Sequence, residues 1–138
     1  MKSRWFLLVI LATATVLADE DPTRTLNIVN GRGWQRLRAS GHAEAYLTGL
    51  YDGLNYYGQH AEFRTDRASV GLTSAEISAG VTAFYAADSA RLRIPVPMAV
   101  ALFLRHAEGE SDEQMAERVA KTLRDLDSWV SRARTPKR

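Results

Sequence analysis

Three histidines, His42, His60 and His106, are scattered through a 138-residue chain, and their spacing answers whether a metal site is encoded. A zinc-binding helix presents two imidazoles one turn apart, as in His-Glu-x-x-His, and no such pair occurs. A calcium loop needs alternating Asp or Asn oxygens, a central Gly and a closing Glu, and no stretch supplies them. Cysteine is absent, which removes thiol catalysis, thiolate zinc sites and iron–sulfur ligation. No Gly-x-Ser-x-Gly elbow presents an activated serine beside a base. Gly31-Arg32-Gly33 is a lone glycine pair without the strand-loop-helix setting of a phosphate cradle, so Asn30-Gly31-Arg32-Gly33 reads as a turn. Asp52 lies between Tyr51 and Gly53, where partial burial would raise its pKa and let it donate a proton. Spacing fixes no second carboxylate beside it. The residues encode no recognisable catalytic constellation and imply no metal and no cofactor; the chain reads as a non-enzyme.

Aromatic side chains form the remaining constellation. Tyr46, Tyr51, Tyr56 and Tyr57 crowd one segment, with Trp34 upstream and Tyr85 downstream. Tyr56 falls off the apolar stripe of that segment, beside Asn55 and near Gln59 and His60. Tyrosines next to polar groups serve as interface anchors, although tyrosine also fills the rim of a core. The candidate partner-binding residues are therefore Tyr56, Tyr57, His60, Phe63 and Arg64.

The elements that must position these residues begin after an export signal. Lys2 and Arg4 precede an uncharged apolar run at 5–17, and Val16-Leu17-Ala18 sets small residues where a signal peptidase cuts. A spanning helix needs roughly 20 apolar residues and this run has about 13, so cleavage near Ala18 is expected, with a periplasmic or secreted product and no stable membrane anchor. The chain carries 18 Lys+Arg and 16 Asp+Glu. Removing Lys2 and Arg4 leaves 16 of each, so the net charge gives no reason to expect nucleic acid. The expected organisation is a signal peptide at 1–18, an extended N-terminal arm at 19–33, a helical domain at 34–134 and a basic tail at 135–138.

Helical periodicity governs the domain. Ala43, Tyr46, Leu47, Leu50, Tyr51, Leu54 and Tyr57 trace one helix face, with Ser40 as N-cap and Gly58 as stop. Ala45, Gly49 and Gly53 make a second, small stripe. Glycine in a helix costs on the order of 1 kcal/mol against alanine, so Gly49 and Gly53 predict close packing of another helix. Thr73-Ser74-Ala75-Glu76 and Ser111-Asp112-Glu113-Gln114 are capping boxes. The first starts a helix that buries Ile77, Val81, Phe84 and Tyr85; the second starts one that carries Met115, Val119, Leu123, Leu126 and Val130 inward. Between them, Ile94-Pro95-Val96-Pro97 must be extended, and Pro97 suits the start of a well-buried helix that Gly109 ends. The expected fold is all-α: a small bundle of four to five helices after a cleaved signal peptide.

The stretch Ala45-Tyr46-Leu47-Thr48-Gly49-Leu50-Tyr51-Asp52-Gly53-Leu54 resembles the Tyr-x-x-Gly-x-x-Asp helix of the Tai-type immunity proteins. Those are small periplasmic helical proteins that neutralise peptidoglycan amidases delivered by type VI secretion. Gly71-Leu72-Thr73-Ser74-Ala75-Glu76-Ile77, then Phe84-Tyr85 and the Pro-rich start at 94–102, are similar to that family's later helix-loop-Pro-helix section. The resemblance covers roughly 43–107, and the family's paired cysteines have no counterpart here. It implies a protein partner, a cell-wall hydrolase inhibited by steric occlusion, and it points to the loop at 58–71 as the interface, while no inhibitory residue carries over. The reading from another class is an envelope stress protein or small periplasmic chaperone, and self-association is left open.

Overall fold

The structure is a computed structural model and describes residues 21–60 and 71–134. The expected signal peptide at 1–18 and its expected cleavage site, Phe63, Arg64 and residues 135–138 lie outside the described residues. The order is a two-stranded hairpin, β1 (Arg24–Thr25) and β2 (Ile28–Val29), then α1 (Gly31–Ala39), α2 (Ala43–His60), α3 (Ser74–Ala86), a 3₁₀ turn (Ser89–Arg93), α4 (Val96–Ala107) and α5 (Asp112–Arg134). The fold is mostly helical, with five α-helices and one minor hairpin.

Asn30 decides where the helices begin. Its carboxamide oxygen accepts from the amides of Arg32 (3.0 Å) and Gly33 (3.3 Å), capping α1. Its Nδ2 donates to the Pro22 carbonyl and to Thr25 Oγ1, both at 3.1 Å. Asn30 is buried, so this one side chain ties the N-terminal strand, the hairpin and the helix together. The Asn30-Gly31-Arg32-Gly33 segment is thus not a turn but an N-cap and a first helical turn, and the helical part starts at Gly31 rather than at residue 34. Asn is among the best cap residues because its short oxygen reaches the orphan amides of the first turn. The arm before it is a hairpin with Arg24 opposite Val29 and Thr25 opposite Ile28. Leu26 (φ 51°) and Asn27 (φ 64°) make the turn, the both-positive pattern that matches strand twist.

Three further boundaries differ from expectation. Val96 and Pro97 are not extended but open α4, whose first turn tolerates a proline without N–H. Ser40 is the C-cap of α1 and not the N-cap of α2: its amide donates to the Arg36 and Arg38 carbonyls. Gly58 does not stop α2, which continues to His60. Both capping boxes form. Thr73 Oγ1 accepts from the Glu76 amide (3.2 Å) while the Glu76 carboxylate accepts from the Thr73 amide (2.7 Å). Ser111 and Gln114 exchange the same pair of bonds at 3.2 and 3.0 Å.

The core lies where α3 and α4 pack on each other, with α2 on one side and α5 on the other. Leu47, Val81 and Leu126 are fully buried at positions the helical periodicity marks, and Ile94, Val96 and Ala99 are fully buried beside them. Tyr85 closes the core beside the Pro-rich connection, where its hydroxyl donates to the Ile94 carbonyl at 2.8 Å. Trp34 of α1 is buried and donates through Nε1 to Thr82 Oγ1 of α3 at 3.1 Å. The Arg91 guanidinium lies 4.8 Å above the Phe84 ring and donates to the Phe84 carbonyl at 3.2 Å, which caps the end of α3 as a basic group does at a helix C-terminus.

Close backbone approach occurs at other glycines than expected. No described atom lies within 4 Å of the place a Cβ would take at Gly49 or Gly53. Those two glycines therefore receive no second helix among the described residues. At Gly31 a Cβ would lie 2.6 Å from the Tyr85 ring and 2.8 Å from Leu92 Cα; at Gly33, 2.6 Å from the Thr23 carbonyl oxygen; at Gly80, against the Phe103 ring. Glycine lets α1 sit against the hairpin and the 3₁₀ turn, and lets α3 sit against α4.

Candidate functional site

The sequence candidates divide. Asp52 is exposed on α2, so the desolvation that would make it a proton donor is missing, and the proton-donor role is withdrawn. His42 bonds Ser40 Oγ at 2.8 Å within the α1–α2 turn. His106 bonds the Glu110 carbonyl at 2.9 Å and faces Asp112 at 3.5 Å, which fastens the α4–α5 turn. No group of three metal-ligating side chains comes together among the described residues. Tyr56, Tyr57 and His60 belong to the last turns of α2, and the residues that follow them, 61–70, lie outside the description.

Three tyrosines are placed by packing. Tyr46 and Tyr51 pack against the core, and burial raises the pKa of both phenols. Tyr85 is raised further, first by burial and then by the neighbouring Tyr46 phenol. These rings remain neutral at any physiological pH and serve the rim of the core.

A concave feature among the described residues lies elsewhere. A groove of about 690 Å³ runs between the β1–β2 turn and the last turns of α5. Arg24, Arg93 and Arg134 line it together with Leu26, Val130 and Ala133. Its wall is set by specific bonds: Thr25 Oγ1 donates to the Arg93 carbonyl at 2.8 Å, and the Arg93 guanidinium pairs with Asp127 of α5. Arg24 donates to the Asn27 carbonyl at 2.7 Å and lies 3.7 Å from Asp21. The Asp21 carboxyl is held below its ordinary range, chiefly by hydrogen bonds from the Thr23 hydroxyl and amide, with smaller contributions from Arg24 and Arg36. The side chains of both ion pairs, Arg24–Asp21 and Arg93–Asp127, are about half exposed, and pairs of that kind exchange easily for an incoming anion.

A second concavity of about 380 Å³ adjoins the strap formed by residues 21–25, lined by Pro22, Thr23, Arg32, Arg36 and Leu92. The two hollows collect arginines from four separate stretches of sequence: the hairpin, α1, the 3₁₀ turn and the end of α5. Sequence spacing brings none of these arginines together, because nothing local says that α5 returns to the hairpin. The signal that could have been used is the composition of 24–38, four arginines and no acid, against 108–117, five carboxylates and no cation. α5 is 23 residues long and spans about 34 Å, so it separates the acidic turn from the basic end.

No family model, no curated protein and no solved structure matches the chain. No helix among the described residues is long and apolar enough to cross a membrane.

Proposed function

We propose that this chain is an exported helical protein-binding domain that acts as an immunity-like inhibitor of a cell-wall hydrolase, by steric occlusion and without a cofactor. The observation that carries the binding half of the reading is the make-up of the groove beneath the β1–β2 turn. Arginine forks surround Leu26, Val130 and Ala133 there, and arginine around a small apolar floor is what recognition surfaces are enriched in. The hydrolase half draws on the likeness of 43–107 to the Tai-type proteins, whose corresponding segments fall here on α2, α3 and α4. The occluding segment in this reading is the end of α2 and its continuation, with Tyr56, Tyr57, His60, Phe63 and Arg64.

The test is direct. Purified protein added in equimolar amount to a panel of peptidoglycan amidases and lysozymes should abolish clearing of a cell-wall suspension by one of them, and Tyr56→Ala should restore it. A pull-down from envelope extract that recovers no hydrolase, together with no protection of cells from any panel member, refutes the reading. Export is checked separately, by the intact mass of the protein in the periplasmic fraction, which should lack residues 1–18.

A further inference from the structure

We propose that the paired hollows on either side of the strap at 21–25 form a docking surface for an extended acidic peptide segment of a partner protein. This rests on the reading of the chain as a protein-binding domain and adds the chemistry of what it binds. The first observation is charge. Among the described lining residues of the two hollows, Arg24, Arg32, Arg36, Arg93 and Arg134 are the cations and Asp21 and Asp127 the carboxylates. The second is the kind of cation. Of the 18 Lys+Arg in the chain only Lys2, Lys121 and Lys137 are lysines, and Lys121, the lysine among the described residues, lines neither hollow. The planar guanidinium fork binds a carboxylate or phosphate through two parallel hydrogen bonds, which an ammonium cannot do.

Shape and apolar content then choose among anions. Both hollows are concave and linked by one strap, so they fit a single chain laid across it better than a flat bilayer. No aromatic ring lines either hollow among the described residues, whereas binding of single-stranded nucleic acid relies on rings that stack the bases. Leu26, Val130 and Ala133 in one hollow and Pro22 and Leu92 in the other add apolar surface to the guanidinium lining. A peptide that carries both carboxylate and aliphatic side chains matches that mixed lining; a polyphosphate leaves its apolar part uncovered. Leu26 adds a separate mark. It is a bulky residue at φ 51° and 39% exposed, a conformation that costs free energy and that glycine would adopt without strain.

The experiment uses fluorescence anisotropy with the purified protein and a labelled decapeptide alternating Glu and Leu. The peptide should bind, and binding should weaken as salt is added. Arg24→Gln combined with Arg134→Gln should raise Kd about 10-fold, the equivalent of about 1.4 kcal/mol. Leu26→Gly should raise Kd a few-fold while leaving the melting temperature equal to or above that of the parent, because the strain at that position is relieved. Should the double variant melt early, Arg32→Gln with Arg36→Gln on the exposed face of α1 replaces it, and the same loss is expected. No anisotropy change, equal binding of a Lys-Leu peptide, or a Kd indifferent to these variants overturns the proposal. So does competition by inorganic polyphosphate or phosphatidylglycerol vesicles at lower concentration than the unlabelled peptide. No hydrolase enters this assay, so its failure leaves the inhibitor reading standing, and failure of inhibition with peptide binding intact removes only the latter.

Discussion

Exchanging Gly31 for alanine and Gly49 for alanine should shift stability in opposite directions, although both glycines are helical. An alanine in a helix is ordinarily worth about 0.5–1 kcal/mol over glycine. At Gly49 nothing opposes that gain, since the position is exposed and no described atom lies within 4 Å of the new Cβ. Gly49→Ala should therefore raise stability by about 0.5–1 kcal/mol. At Gly31 the new carbon would sit 2.6 Å from the Tyr85 ring and 2.8 Å from Leu92 Cα. The ring would have to withdraw to about 3.4 Å, but it is 3% exposed and tethered through its hydroxyl to the Ile94 carbonyl. Overpacking of this kind costs about 1–3 kcal/mol, and losing the tether costs about 1 kcal/mol more. Set against the propensity gain, Gly31→Ala should lose about 2 kcal/mol, a drop in Tm of about 8 °C for a domain of this size. Thermal melts followed by far-UV circular dichroism, with urea melts to check cooperativity, measure both. A Gly31→Ala protein that melts at or above the parent, or a Gly49→Ala protein that melts below it, refutes the assignment of which glycines serve close packing.

Three further outcomes follow from single contacts. Asn30→Ala removes the α1 cap and both tethers of the N-terminal strand, so urea melts should show a loss of about 2 kcal/mol; an unchanged midpoint would mean that the strap at 21–25 is not held through Asn30. Leu47→Ala empties a fully buried site and should cost about 2–5 kcal/mol in the same assay, and a cost under 1 kcal/mol would contradict the placement of α2 against the core. Burial-free hydrogen bonds from Thr73 hold the Glu76 carboxyl below its usual range, so the folded protein binds fewer protons there than the unfolded chain does. That stabilisation is complete above the ordinary glutamate value of about 4.3 and is lost as pH falls through the lower folded value. Melting temperatures of the parent should thus fall more steeply between neutral and acid pH than those of Glu76→Gln, and parallel curves would argue against the capping-box carboxylate.

Much of the fold is written locally. The capping boxes at Thr73 and Ser111 form because their partners lie three residues away, and Pro95 caps α4 while Pro97 sits in its first turn, where the missing N–H costs nothing. The buried set Ile77, Val81, Phe84, Tyr85, Met115, Val119 and Leu126 is readable from the spacing of three and four, because helix period and burial share one cause. Asn30 shows two local signals in competition: Asn favours an N-cap, whereas the two glycines that follow it look like a turn. Those glycines are in fact needed for contact, not for conformation. Only the chain path brings Tyr85 and Leu92 to Gly31 and Thr23 to Gly33, so a sequence cannot distinguish them from Gly49, where no neighbour arrives.

The arginine surface divides in the same way. Sequence by itself determined the residues, the absence of thiols and the balance of 16 cationic against 16 acidic residues beyond position 18, because these are sums over composition. The tertiary structure alone decided that Arg24, Arg93 and Arg134 share one groove, because that depends on the direction in which α5 returns to the hairpin. Electrostatics depends on distance, and distance between residues far apart in sequence is fixed only when the core has closed.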